Sequence, residues 1–193
     1  MTKHKRFHTM RKAAPLALLL ALAGCGDSYT PASLYQATSP DCSTPVDADT
    51  FELPRGITVA ATTVLPQPAE GGMEIGVNYM LPRTTQVHFA TAHFQVSQPK
   101  GPLIENATVL SVYQRPTNGK PEMVEIVNGV PLVLFAVGTS DDTQFRYRLI
   151  IKGKMPKRFD LTPPDVLIGG KRYVSRTFTY RWFEDKQAYG MCH

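Results

Sequence analysis

With 193 residues, 42% of them hydrophobic and 19% charged, the chain is long enough to bury a sizeable core, and no second domain or internal repeat is visible in it. Its formal charge of +5 belongs to the N-terminus: five of the 21 basic residues, Lys3, Lys5, Arg6, Arg11 and Lys12, lie in the first 24 positions, which hold no acid. The remainder balances at sixteen bases against sixteen acids, which removes the electrostatic motive for a nucleic-acid partner.

The basic N-terminus leads into an apolar run, residues 13–23, that is too short to span a bilayer and reads as the core of an export signal. The run ends in Leu22-Ala23-Gly24-Cys25, which resembles the lipobox of bacterial lipoproteins. That resemblance covers residues 1 to about 27. It implies removal of residues 1–24, a diacylglycerol on the thiol of Cys25 and acylation of the new N-terminus, so that several acyl chains anchor the protein to a membrane. The alternative is a plain secretory peptide that happens to hold a cysteine. Gly26 after the cysteine, where enteric-type lipoproteins kept in the inner membrane carry Asp, points to the outer membrane; Asp27, one place later, pulls slightly the other way.

Residues 25–51 are rich in Ser, Thr, Pro and Asp and are expected to form a flexible tether, because so few large apolar groups cannot offset the entropy of ordering. With Cys25 lipidated in an oxidising compartment, Cys42 and Cys192 remain as an even pair and are expected to be bridged. Such a bond would contribute about 5 kcal/mol on the chain-entropy model. A metal site from Met191, Cys192 and His193 is the competing reading, weakened by the difficulty of preorganising three adjacent residues at a chain end.

From residue 52 to 193, apolar residues recur at every second position, the period of a half-buried strand. Ile57, Val59, Ala61 and Leu65 mark a first strand; Met73, Ile75, Val77, Tyr79 and Leu81 mark a second after Gly71-Gly72. Residues 86–96 read as a third, with His88, Phe94 and Val96 on one face. In a fourth, Val109, Ser111 and Tyr113 oppose Leu110 and Val112, and residues 115–119 end it. Residues 123–127 and 130–137 around Asn128-Gly129 read as a hairpin with a two-residue turn. Phe145, Tyr147, Leu149 and Ile151 alternate with Arg146, Arg148, Ile150 and Lys152. After a short strand at 165–168, Gly169-Gly170 turns into a long one at 172–183, where Val174, Phe178, Tyr180 and Trp182 share a core face.

No segment after the signal keeps a helical period over three turns, so the expected fold is all-β: an antiparallel two-sheet sandwich, immunoglobulin-like in pattern, with a barrel as runner-up. Few and uneven strands, together with a lipid anchor, argue against a transmembrane barrel.

Chemistry-bearing groupings are sparse. His88 and His93, five apart, fall on opposite faces of a regular strand and are not expected to share a metal. The acid pairs Asp141-Asp142 and Glu184-Asp185 lie beside turns and supply too few oxygens for calcium. Nucleophile-elbow, zinc-protease, phosphate-loop and paired Cys-x-x-Cys patterns are missing from the sequence, so no catalytic residues, metal or cofactor are expected. The remaining signal is charge. Residues 25–142 hold twelve acids and five bases, whereas 143–193 hold four acids and eleven bases. Either the two parts interleave within one sheet, or Arg146, Arg148, Lys152, Lys154, Lys171 and Arg172, with Lys157 and Arg158, form a basic face for an anionic partner. The expectation is an envelope lipoprotein that binds another envelope protein, as an assembly subunit or as an inhibitor or immunity protein; the alternative is a structural or transport role on an anionic glycolipid or peptidoglycan.

Overall fold

The computed structural model describes residues 33–40, 49–62, 72–124 and 142–183, all within one compact unit, Pro31–His193. Cys25, Cys42, Cys192, the hairpin beyond Val124, Asp141 and Glu184-Asp185 lie outside the described residues. Among the described residues the regular structure is almost entirely strand: β1 (Leu34–Thr38), β2 (Thr50–Leu53), β3 (Ile57–Ala61), β4 (Met73–Leu81), β5 (His88–Phe89), β6 (Phe94–Ser97), β7 (Leu103–Pro116), β8 (Glu122–Val124), β9 (Thr143–Ile151), β10 (Arg158–Thr162), β11 (Val166–Ile168), β12 (Lys171–Tyr173) and β13 (Phe178–Phe183). A 3-10 turn at Pro54–Gly56 joins β2 to β3.

The strands pair antiparallel in the order β1-β13-β10-β6-β7-β9-β4-β3-β2, with β8 alongside β7, and a small sheet runs β12-β11-β5. The large sheet has two halves joined by the 14-residue β7, whose first part pairs with β6 and whose second part pairs with β9. The halves meet around one core. Phe51 of β2 lies 5.1 Å from Phe178 of β13, and the Tyr180 hydroxyl donates to the Thr62 carbonyl at 3.2 Å. A strand that passes between sheets through a bulge is a standard way to turn such a corner. The all-β, antiparallel expectation therefore holds. The acidic and basic parts of the sequence also interleave, since β9 lies between β7 and β4.

Burial follows the alternation where the strands are regular. Ile75, Val77, Tyr79 and Leu81 of β4 are buried, as are Phe145, Tyr147, Leu149 and Ile151 of β9. Phe178 and Tyr180 are core residues, the latter stacked on Phe159 at 4.9 Å. Gly169 and Gly170, both at positive φ, make the turn from β11 to β12, where a Cβ would be strained.

Four expectations need correction. The segment expected to be all tether contributes β1, which pairs with β13 from Leu34↔Phe183 to Thr38↔Thr179 and is buried because Tyr35 packs on Phe159 and Trp182. Thr50 and Phe51 likewise begin β2. Residues 86–96 are not one strand: β5 joins the small sheet through Val166↔Phe89, and the chain bends before β6 rejoins the large one. Residues 172–183 divide in the same way, because Ser175 is held between the two strands by its N–H to Asp165 Oδ1 at 3.0 Å and its hydroxyl to Pro164 O at 2.7 Å. Val174 is left 75% exposed instead of joining the core. Finally, Val109, Ser111 and Tyr113 do not share a face, because the β7–β9 register shifts between Val109 and Ser111.

Candidate functional site

That register shift determines what lies on the outer face. Before it, Ala107 and Val109 point into the core; after it, Val112 does, leaving Ser111, Tyr113 and Arg115 outward. Without the extra residue, Tyr113 and Arg115 would turn inward. On β9 the buried odd-numbered residues likewise send Gln144, Arg146 and Arg148 outward. Pairing places Gln144 opposite Arg115 and Met80, Arg146 opposite Tyr113 and Asn78, and Arg148 opposite Ser111 and Gly76.

These side chains line an open depression of about 530 Å³, formed by Glu74 of β4, Tyr113 and Arg115 of β7, Gln144, Arg146 and Arg148 of β9, and Pro121 just before β8. Three guanidinium groups face one carboxylate. Glu74 engages Arg148 through both oxygens, at 2.7 Å to Nε and 2.8 Å to Nη2. The Arg148 hydrogen bond, reinforced by the charges of Arg148 and Arg146, holds the Glu74 carboxyl below its ordinary range. The charge on Arg148 is stabilised first by Glu74 and also by the nearby Tyr113. Arg115 and Arg146 make no ion pair among the described residues. Asn78 Oδ1 and Ser111 Oγ, on the register partners of Arg146 and Arg148, are buried and without a hydrogen-bond partner among the described residues.

The other basic residues are distributed elsewhere. Lys152, Lys154 and Lys157 lie in the connection from β9 to β10, and Arg158 is opposite Arg181 on β10 and β13. Lys171 and Arg172 belong to the small sheet; Lys171 lies 5.4 Å from the Tyr173 ring centre and Arg172 pairs with Asp165 at 2.7 Å. Of the six residues expected to form a basic face, the depression unites Arg146 and Arg148 alone. Tyr113, Arg115, Gln144 and Glu74 were not signalled as site residues, because strand register and not sequence spacing brings them together.

His88 sits in β5, half-buried, and His93 is exposed in the bend before β6. Among the described residues no group of three or more His, Cys, Asp or Glu side chains could hold a metal ion, and no helix is long and apolar enough to cross a membrane. No protein-family model, curated protein or solved structure matches the chain.

Proposed function

We propose that this chain is a lipid-anchored, non-catalytic binding module of the bacterial envelope, held in the outer membrane through Cys25, and that its partner presents an anionic group. The observation that supports this reading is the outward depression in which Arg115 and Arg146 carry charge without an ion pair among the described residues. A guanidinium fork recognises carboxylate or phosphate through paired hydrogen bonds, so this face suits an anion better than a neutral partner.

An envelope protein engaged in assembly or inhibition would satisfy the site by inserting an acidic side chain. The reading with an anionic glycolipid or peptidoglycan has a specific observation in its favour: a depression of about 530 Å³ is within the size range of small-ligand sites. Reversible crosslinking in intact cells, followed by affinity capture and mass spectrometry of proteins and glycans, tests the module. A component enriched in stoichiometric amount over a Cys25→Ser control supports it. Capture of nothing beyond that control, with the anchor intact, would argue against a binding role.

A further inference from the structure

We propose that the depression between Tyr113, Arg115, Gln144 and Arg146 is a binding site for a phosphorylated sugar, which deepens the binding-module reading of this face. Because Tyr113 is opposite Arg146 and Gln144 is opposite Arg115, Arg115 and Arg146 are diagonal neighbours on adjacent strands. Diagonal positions lie about 7–8 Å apart, within reach of one bridging group for side chains of this length. Two like charges at this spacing repel each other, and an oxyanion between them converts the repulsion into charge-assisted hydrogen bonds.

The charge count favours phosphate over a single carboxylate. Among the described residues, three arginines and one glutamate line the depression, a formal excess of two positive charges, and the bidentate pair with Glu74 already occupies Arg148. A phosphomonoester carries close to two negative charges at neutral pH, which matches that excess.

The remaining walls suit the sugar. Tyr113 and Pro121 offer apolar surface for the C–H face of a pyranose, and the Gln144 amide can donate to and accept from its hydroxyls.

The test is calorimetric and NMR titration of the full mature chain with inorganic phosphate, glucose phosphate and glucose, then with vesicles carrying a phosphorylated glycolipid. Glucose phosphate should bind more tightly than phosphate, and glucose should not bind. Arg115→Gln and Arg146→Gln should each weaken binding about 10-fold or more without lowering the thermal midpoint. Tyr113→Leu should narrow the preference for glucose phosphate over phosphate. Binding to the vesicles as well would place the sugar on a lipid headgroup, and binding to free glucose phosphate alone would make the ligand soluble. The proposal is overturned if neither phosphate compound binds saturably, if both arginine variants bind as well as the parent, or if an acidic peptide binds more tightly than glucose phosphate. If the arginine variants still capture the same envelope partner as the parent, the site is wrong while the module reading stands. If the sugar phosphate binds but intact cells yield no partner, the reading of an envelope macromolecule as the partner fails and the site stands.

Discussion

The carboxylate of Glu74 on β4 accepts two hydrogen bonds from the Arg148 guanidinium on β9, at 2.7 and 2.8 Å, and so neutralises one of the three positive charges that strand register gathers on the outer face. The pair has two separable consequences. It ties β4 to β9, and it leaves Arg115 and Arg146 as the lining cations without an ion pair among the described residues.

Glu74→Gln should lower stability at neutral pH by about 0.5–1 kcal/mol, the range for a partly exposed ion pair of good geometry. Both partners are more than a third exposed, so solvent screening keeps the figure small. Because Arg148 lowers the Glu74 carboxyl in the folded state, the stabilisation is present above the ordinary value of 4.5 and is lost as pH falls through the lower folded value. Urea midpoints of parent and variant should therefore differ at pH 7 and converge in acid. A gap that persists in acid would contradict the electrostatic account. The same substitution removes the competing carboxylate and should tighten anion binding.

Two buried tyrosines should respond in opposite directions to loss of the hydroxyl. The Tyr79 hydroxyl is fully enclosed and lacks a hydrogen-bond partner, whereas that of Tyr180 donates to the Thr62 carbonyl at 3.2 Å. Tyr79→Phe is expected to stabilise by about 1 kcal/mol and Tyr180→Phe to cost about as much. Denaturant midpoints at unchanged slope decide the matter, and equal losses in both would show that the Tyr79 hydroxyl is satisfied in solution.

Gly72 has φ of +141°, and a Cβ there would collide with the backbone carbonyl of Ile151 at the start of the β4–β9 ladder. Gly72→Ala should cost about 3 kcal/mol or more, through clash and backbone strain together. Gly170 has φ of +79° but no atom within 4 Å of the same added carbon. Gly170→Ala should cost only about 1 kcal/mol. Thermal midpoints of the two variants, compared under one set of conditions, separate clash from strain.

Cys25→Ser should move the protein from the membrane pellet to the soluble periplasmic fraction, because the lipid is the anchor that the lipobox resemblance implies. Mass spectrometry of the parent should show the acyl groups on residue 25. Retention of the variant in the pellet would mean that the folded domain holds the membrane by another surface.

How much the residues declared in advance depended on how local the governing physics was. The β4 and β9 patterns were legible because each strand buries one face against a continuous core, and a period of two is then the only pattern that fits. The turn at Gly169-Gly170 was legible because positive φ selects glycine. β1 was not: its surroundings are polar, and its order comes from pairing with β13 and from the Tyr35 contacts with Phe159 and Trp182. The breaks inside 86–96 and 172–183 were hidden for a related reason, since a chain that leaves one sheet for another keeps its β-rich composition throughout.

By itself, then, the sequence determined the antiparallel β class, the core faces of the regular strands and the outward placement of Arg146 and Arg148, all consequences of side-chain alternation within single strands. Only the tertiary structure decided what stands beside those arginines. One additional residue between Val109 and Ser111 reverses the facing of everything after it in β7, and so brings Tyr113 and Arg115 to the outer surface next to Arg146. The sequence on either side of that bulge is equally compatible with a regular strand; pairing with β9 selects the irregular one, because it keeps Val109 and Val112 together in the core.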